Sequence, residues 1–283
     1  MNASCSEPPP LDLALKTIWG ASRWPGSAES GLVVPHPLWL ETLRRLDQLA
    51  AVRAHGVLHG PHGVGKSYLL HHWSQRLSPK QHRLLRLTHS SLMGSDLLRQ
   101  LVKLSGKAAQ LRRGDNVLCL SSLWQEWAPL WPVVIVEEAQ NLNGAALEEL
   151  RLLTCCRSDA QPPFSLLLVG DEDLLPRLEL GVNRALVSRL GFCLPLERWS
   201  AESLDQYLQA RLAEVGLHVS PLEPAAQTLL LQSAQGIPRA CNALLQRAME
   251  QAARAQRREV TAADVQSALD TLPWLARPLP LSR

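Results

Sequence analysis

Apolar positions along the chain fall into two alternating patterns. Short continuous runs rich in leucine and valine predict strands that are buried on both faces, as in a parallel sheet. These runs occupy residues 56–59, 83–88, 132–137, 165–170 and 192–194. Between them, apolar residues spaced three and four apart predict helices that cover the sheet. These helices are expected at 37–53, 66–77, 95–104, 117–127 and 144–156.

After residue 200 the strand-like runs stop and only helical spacing remains. Helices are predicted at 201–215, 224–233, 238–255 and 262–272, with Thr261 as the cap of the last one. Strands alternating with helices, and then helices alone, indicate an α/β fold: a five-stranded parallel sheet with flanking helices, followed by a small helical domain. The expected divisions are a flexible N-terminal arm at 1–35, an α/β core at 36–199, a helical domain at 200–272 and a Pro-rich tail at 273–283.

A glycine-rich segment joins the first predicted strand to the helix that follows. Residues 60–67 read Gly-Pro-His-Gly-Val-Gly-Lys-Ser, a complete Gly-x-x-x-x-Gly-Lys-Ser phosphate-binding loop. In such a loop, backbone N–H groups surround the phosphates, the lysine reaches the β and γ oxygens, and the hydroxyl binds Mg²⁺. A nucleoside triphosphate with Mg²⁺ is therefore the predicted ligand. The residues assigned to it are Gly60, Pro61, His62, Gly63, Val64, Gly65, Lys66 and Ser67.

Two adjacent acids follow the most apolar predicted strand. Residues 133–140 read Val-Val-Ile-Val-Glu-Glu-Ala-Gln, so Glu137 and Glu138 lie at its carboxyl end. A phosphate loop needs one carboxylate on a neighbouring strand for Mg²⁺, held directly or through water, and a second to orient the attacking water. Glu137 is assigned to the metal together with Ser67, and Glu138 is assigned as the general base. The alternative is two solvated acids at a strand end.

Five motifs in the same order resemble those of the ExeA/TniB/TnsC group of AAA+ ATPases. They are the phosphate loop, Val-Glu-Glu-Ala-Gln-Asn-Leu at 136–142, Leu-Glu-Glu-Leu-Arg-Leu-Leu-Thr at 147–154, Leu-Leu-Leu-Val-Gly-Asp-Glu-Asp-Leu at 166–174 and Gly-Ile-Pro-Arg-Ala-Cys-Asn at 236–242. The resemblance covers roughly residues 35–270. It implies an AAA+ P-loop NTPase core with a helical lid domain, ATP as the nucleotide, and assembly of several copies into a ring or helical filament.

The resemblance also implies roles for residues outside the loop. Arg239 matches the lid arginine that reaches the γ-phosphate, known as sensor two. Arg189 resembles the arginine finger that completes a neighbour's site, with Arg184 as the second choice. A cation supplied in trans spreads phosphate charge and couples hydrolysis to assembly. The alternative for Arg184 and Arg189 is an ordinary surface helix.

Two positions depart from the pattern of this group. Glu137 stands where the metal-binding strand usually ends in Asp, and the octahedral shell of Mg²⁺ tolerates little displacement, so slow, switch-like hydrolysis is expected. Asp171 occupies the sensor position at the end of the fourth strand, where a neutral polar residue is usual. An acid there would repel the γ-phosphate unless it points away or is paired.

Basic residues are concentrated between residues 76 and 113. Nine lysines and arginines stand against one acid, Asp96, which gives this segment a charge of +8 in a chain of net charge +3. Related transposition ATPases place loops here on the DNA backbone, which predicts sequence-independent, salt-sensitive phosphate contacts. The predicted contacts are Arg99, Lys103, Lys107, Arg112 and Arg113. The alternative is a solvated basic helix face.

Within the group that the chain resembles, a regulator of DNA transposition is the expected role. It would assemble on duplex target DNA and connect a target-selection protein to a transposase. The chain stops after the lid, whereas ExeA-type secretion ATPases typically continue into a membrane span, and no apolar run approaches the roughly 18 residues that a spanning helix needs. No membrane association and a cytoplasmic location are expected, with the six cysteines as reduced thiols. The alternative is a secretion or assembly ATPase that acts on a membrane-associated partner.

Overall fold

Residues 11–26, 34, 36–88, 93–155 and 162–276 are described by a computed structural model. The chain divides into two units. One spans Pro37–Glu197, and the other joins Met1–His36 with Arg198–Arg283. The first unit contains the sheet, and the described part of the second is built from helices.

Five strands form one parallel sheet in the order β2-β3-β4-β1-β5. The strands are β1 (His55–His59), β2 (His82–Leu87), β3 (Trp131–Val136), β4 (Ser165–Gly170) and β5 (Leu190–Pro195). β3 and β4 are buried along their whole length, because their runs of leucine and valine are covered on both faces. The five-stranded parallel sheet predicted from the apolar runs is confirmed.

Helices fill the chain between and after the strands. In chain order they are α1 (Leu11–Trp19), α2 (Pro37–Ala51), α3 (Lys66–Arg76), α4 (Gly94–Leu104), α5 (Arg113–Glu126), α6 (Gly144–Leu153), α7 (Leu174–Glu179), α8 (Arg184–Val187), α9 (Ala201–Glu214), α10 (Pro224–Ala234), α11 (Pro238–Arg254), α12 (Ala262–Thr271) and α13 (Pro273–Ala276). Short 3-10 turns occupy Ala139–Asn141 and Gly181–Asn183. The helices α7, α8 and α13 were not predicted, since a helix of four to six residues leaves too little periodicity to detect.

The core of the sheet unit lies between the sheet and the helices α4, α5 and α6. Leu98, Leu101, Leu120 and Leu150 are almost completely removed from solvent and pack in one apolar cluster with Phe164. Each buried side chain of this size stabilises the fold by about 1.5–3 kcal/mol. This cluster fixes α4 and α6 against the strands whose carboxyl ends carry the acids.

The helix α5 begins four residues earlier than its apolar spacing predicts. Asn116, which is fully buried, accepts a hydrogen bond from Gln110 N and donates to Gln110 O and Arg112 O at 2.8, 2.8 and 3.0 Å. These bonds satisfy the backbone of the turn before the helix, so the helix starts at Arg113 even though its first residues are polar. Arg112 and Arg113 therefore lie at a helix start rather than within a loop.

The N-terminal segment is part of the helical unit. The helix α1 packs against α11, and Leu15 and Ala21 are buried in the same cluster as Leu208 and Leu244. Trp19 Nε1 donates a hydrogen bond to Arg258 O at 2.7 Å. The described residues of the predicted 1–35 arm are thus packed on the unit that contains the C-terminal helices.

Within the described ranges, no helix combines the length and the apolar character that crossing a membrane requires.

Candidate nucleotide-binding site

The glycine-rich loop connects β1 to α3 at the carboxyl edge of the sheet. Gly60 has a φ of +153°, and a Cβ there would lie 2.0 Å from Leu196 O, so only glycine fits against the strand that passes beside it. Gly65 has a φ of +110° and precedes the first turn of α3, which carries no acidic residue. The first turn of α3 therefore has backbone N–H groups that can bind an anion, and it carries no acidic residue of its own.

The loop lysine is buried and folded back onto its own loop. Lys66 Nζ donates hydrogen bonds to Gly60 O at 2.6 Å and to Pro61 O at 2.9 Å, and only 8 % of the residue is exposed. Two neutral carbonyls are weak partners for a buried ammonium compared with a phosphate oxygen. The lysine is therefore held at the place where the loop would receive phosphate.

Ser67 and Glu137 meet beside the loop, as the sequence predicts for a metal site. Ser67 Oγ donates to Glu137 Oε2 at 2.8 Å, and Glu137 is 6 % exposed. A hydroxyl and a carboxylate are the hard oxygen donors that Mg²⁺ prefers. A cation already lies on this carboxylate, because Arg86 Nε donates to Glu137 Oε1 at 2.6 Å. The hydroxyl and the carboxylate fit a divalent cation at the site, and such a cation would share the carboxylate with Arg86.

Glu138 follows directly and is held by a neighbour. Its backbone has a φ of +52°, the left-handed region that is uncommon outside glycine. Gln140 Nε2 donates to Glu138 Oε2 at 2.8 Å, while Gln140 Oε1 accepts from Asp171 N at 3.3 Å. Gln140 thus connects the acid after β3 to the end of β4. Residues with strained backbone angles of this kind are frequent in catalytic sites.

The Asp171 carboxylate has hydrogen-bond partners on both of its oxygens. His62 Nε2 lies 2.9 Å from Asp171 Oδ2, and Asp173 N donates to Asp171 Oδ1 at 3.0 Å. The Asp171 side chain is 11 % exposed and that of His62 is 63 % exposed. The Asp171 carboxylate therefore contacts the phosphate loop at His62, which is a residue of that loop.

Arg189 lies at the other end of β1 from the phosphate loop. Its guanidinium donates to Ala185 O and, at 3.1 Å, to Cys155 Sγ. Burial lowers the pKa of His55, the first residue of β1, to about 4, and the positive charge of Arg189 adds to this effect. Since β1 has five residues and strands rise about 3.3 Å per residue, Arg189 is remote from its own loop. Arg184 is exposed on α8.

Arg239 is the second residue of α11, in the helical unit, and its side chain is exposed. Gly236, which precedes this helix, has a φ of +74°, and a Cβ there would lie 2.4 Å from Trp199 O. The glycine of the Gly-Ile-Pro-Arg motif therefore allows close backbone contact, and Pro238 begins the helix that carries the arginine.

Most of the basic segment is neutralised by acids, four of which lie outside it. The ion pairs are Arg76–Asp47, Arg86–Glu137, Arg99–Asp96, Lys107–Glu126 and Arg113–Glu149. Among the predicted DNA contacts, Lys103 and Arg112 are exposed and form no ion pair with the described residues. The positive potential at the surface of this segment is therefore much lower than its sequence charge of +8 suggests.

Two residues at the site were not singled out from the sequence. Arg86 was counted only as one of the basic residues, because its contact with Glu137 depends on β2 and β3 being neighbours. Gln140 belongs to the Val-Glu-Glu-Ala-Gln motif at 136–140. Its position two residues after the proposed base, Glu138, could have indicated a contact between the two side chains.

Comparison with known proteins supports the nucleotide-binding core. Residues 50–178 match a family model described as "AAA domain". General secretion pathway protein A of Aeromonas hydrophila is 33 % identical over 117 residues, which are 41 % of this chain and 21 % of that protein. The chain thus spans about a fifth of the length of this relative.

Solved structures with a similar fold cover most of the chain. The Aeropyrum pernix ORC2 protein, solved as ADPNP-ADP complexes, has a TM-score of 0.63 at 19 % identity, over 90 % of this chain and 71 % of that one. Cdc6p from Pyrobaculum aerophilum has a TM-score of 0.68 at 16 % identity, over 90 % and 70 %. The Aeropyrum pernix ORC1 protein in complex with DNA has a TM-score of 0.64 at 20 % identity, over 85 % and 66 %. These likenesses confirm the predicted AAA+ P-loop NTPase fold with its helical C-terminal region.

Proposed function

We propose that this chain is an ATP-dependent switch that binds ATP with Mg²⁺ at residues 60–67 and hydrolyses it slowly. The observation that carries the proposal is the convergence of Lys66, Ser67, Glu137 and Glu138 at the carboxyl edge of one parallel sheet. A glycine-rich turn alone would bind many anions. The hydroxyl–carboxylate pair 2.8 Å apart beside it adds a cation site, which a triphosphate requires and a simple anion does not.

Each residue at this edge has a distinct task. Lys66 exchanges two carbonyl partners for phosphate oxygens, and Ser67 and Glu137 would hold Mg²⁺, which neutralises phosphate charge when bound. Glu138 orients a water and accepts its proton as the water oxygen bonds to the γ-phosphorus and ADP leaves. Gln140 fixes the direction of the Glu138 carboxylate.

The ATP site is completed, in this proposal, by a second copy of the chain. Arg189 lies at the opposite end of β1 from its own phosphate loop, so a catalytic role for it requires a neighbouring subunit. Leu180 and Val182, just before α8, are 56 % and 81 % exposed, and apolar surface of this kind is typical of contacts between proteins. Arg239 acts from the lid on the γ-phosphate in the same scheme. A ring or helical filament is the expected assembly.

Substitution of the lysine and of the base tests the nucleotide proposal. Lys66→Ala is expected to abolish binding of a fluorescent ATP analogue, because the loop contains no other lysine or arginine. Glu138→Gln is expected to keep that binding and to lose phosphate release, since an amide cannot take the proton. Lys80→Ala, an exposed lysine after α3, is the control for charge. Equal binding by wild type and Lys66→Ala would remove the proposal.

For its biological task we propose regulation of DNA transposition, in which the assembly on duplex target DNA connects a target-selection protein to a transposase. The support is the resemblance to the TniB/TnsC group and the exposure of Lys103 and Arg112 near α4 and α5. Three other predicted contacts form ion pairs with acids: Arg99, Lys107 and Arg113. Each would have to exchange its carboxylate for a DNA phosphate before it could contribute to DNA binding. The lower free charge predicts moderate, strongly salt-dependent affinity.

The second candidate is a secretion or assembly ATPase that acts on a membrane-associated partner. Its support is the 33 % identity over 117 residues with General secretion pathway protein A. One measurement distinguishes the two candidate functions. It compares the ATP-dependent binding of duplex DNA by wild type and by a Lys103→Ala/Arg112→Ala variant. Loss of binding in the variant favours transposition, whereas no DNA binding by wild type with ATP favours the second candidate.

A further inference from the structure

Arg86 lies on the carboxylate that the proposed metal would use. It is the second-to-last residue of β2, and the β2–β3 pairing places it opposite Ile135, two residues before Glu137. Its Nε donates to Glu137 Oε1 at 2.6 Å, and its Nη2 is 3.5 Å from Ser67 O. The Arg86 side chain is 25 % exposed and that of Glu137 is 8 % exposed. The guanidinium can thus reach solvent, whereas the carboxylate is confined.

The two oxygens of Glu137 have different partners. Oε2 accepts from the Ser67 hydroxyl, and Oε1 accepts from Arg86. A buried carboxylate without a cation is costly, so Arg86 stabilises Glu137 before any metal arrives. A divalent cation must then share the carboxylate with a guanidinium or displace it, and two cations at hydrogen-bond range repel each other.

We propose that Arg86 is a positioning residue that competes with Mg²⁺ for Glu137 and thereby raises the Mg²⁺ concentration at which nucleotide binds. This inference rests on the proposed ATP site. In the absence of nucleotide Arg86 keeps Glu137 aimed at Ser67, and entry of the metal costs the release of the Arg86–Glu137 pair. The arginine therefore sets a threshold for loading of the site.

The same geometry explains why glutamate replaces the usual aspartate. The glutamate side chain reaches Ser67 Oγ at 2.8 Å and Arg86 Nε at 2.6 Å at once. An aspartate would withdraw the carboxylate by about 1.5 Å, the length of one C–C bond, and lose at least one of these contacts. The longer acid and the arginine thus act as a pair, and their effects on Mg²⁺ must be coupled.

The test is a titration of Mg²⁺ at a fixed concentration of a fluorescent ATP analogue, read by fluorescence of the bound analogue. Arg86→Gln is expected to lower the half-saturating Mg²⁺ about three- to tenfold, and Arg86→Lys to lower it less. Arg83→Gln removes the same charge from the same strand, but Arg83 lies over the Trp127 ring, so it is expected to match wild type. In a Glu137→Asp background the Arg86→Gln shift is expected to fall below about twofold.

The outcomes separate this inference from the proposed function. If wild type binds no nucleotide at any Mg²⁺ concentration, the ATP proposal itself fails. If wild type binds in a Mg²⁺-dependent manner but Arg86→Gln leaves the half-saturating Mg²⁺ unchanged or raises it, only the role of Arg86 fails. Thermal unfolding shows whether each variant is folded. Arg86→Lys, which keeps a cation for the buried acid, carries the same test if Arg86→Gln does not fold.

Discussion

At the scale of single residues, His55 gives the protein a defined response to acid. Its Nδ1 accepts a hydrogen bond from Leu166 N at 3.0 Å, so the ring must stay neutral, and the residue is 4 % exposed. Burial first, and then the charge of Arg189, lower its pKa from 6.5 to about 4. The unfolded chain takes up a proton on this ring at a pH where the folded chain does not. Stability is therefore complete above pH 6.5 and decreases as the pH falls towards 4.

The expected loss from His55 between pH 7 and pH 5 is about 2 kcal/mol in the free energy of unfolding. His55→Asn keeps an acceptor near Nδ1 and removes the titration, so its stability is expected to be lower at pH 7 but to change less on acidification. Urea unfolding of both proteins at the two pH values measures this. Parallel pH dependences in wild type and variant would show that His55 is not the titrating group.

Contacts between residues of recognisable motifs could be predicted from the sequence, whereas the roles of these residues stay predictions. Lys66 and Ser67 lie in one loop, and Ser67 contacts Glu137 as the spacing of loop and apolar strand indicates. Arg86 was not predicted because its partner is 51 residues away and becomes a neighbour only through the strand order. The pairing of Asp171 with His62 depends likewise on β4 lying beside β1.

At the scale of elements, the N-terminus of α12 is stabilised by hydrogen bonds and an ion pair to Asp264. Asp264 accepts hydrogen bonds from Thr261 N and Thr261 Oγ1 at 2.8 and 2.9 Å and from Arg257 at 2.8 and 2.6 Å. Burial alone would raise the pKa of Asp264, but the bonds from Arg257 and Thr261 outweigh it, and the pKa is lowered. The cap at Thr261 that the sequence predicts is confirmed as a full capping box.

Asp264→Asn is expected to destabilise the protein by about 1–2 kcal/mol at neutral pH, because the capping bonds weaken and the ion pair is lost. The lowered pKa of Asp264 means that this stabilisation exists above the ordinary carboxyl range and is lost as the pH falls through the lowered value. Urea unfolding measures the difference. Asp270→Asn, an exposed acid in the last turn of the same helix, is the matched control. A similar loss in both variants would contradict a specific role for the cap.

Prediction of elements was accurate where apolar periodicity dominates and failed where polar bonds decide. The strands β3 and β4 follow directly from uninterrupted leucine and valine runs. The start of α5 at Arg113 could not be predicted from apolar spacing. It depends on the buried amide of Asn116, which forms hydrogen bonds to the polar turn before the helix. The attachment of α1 to the helical unit also has no local cause, since Leu15 packs on helices about 200 residues later in the chain.

At the scale of the whole molecule, the proposed assembly makes hydrolysis depend on contact between copies. Arg189→Ala is expected to retain nucleotide binding and to reduce hydrolysis by about 10³-fold, the low end of the range of 10³–10⁵ that an arginine supplied in trans contributes elsewhere. Arg184→Ala is the comparison, because Arg184 is the second choice for this role and is an exposed arginine of α8, five residues before Arg189. A greater loss in Arg184→Ala would transfer the role to that residue.

Mixing two inactive variants distinguishes help from a neighbour from damage within one chain. Lys66→Ala lacks a working loop but carries Arg189, whereas Arg189→Ala has the loop and the Glu138 base but no finger. In a mixed assembly, some Arg189→Ala subunits have a Lys66→Ala neighbour. The loop and base of the first subunit and the Arg189 of its neighbour then form one complete site. The mixture is therefore expected to regain a substantial part of wild-type hydrolysis. Phosphate release at fixed total protein, as a function of the mixing ratio, measures it. A mixture no more active than the sum of its two components would contradict a finger supplied in trans.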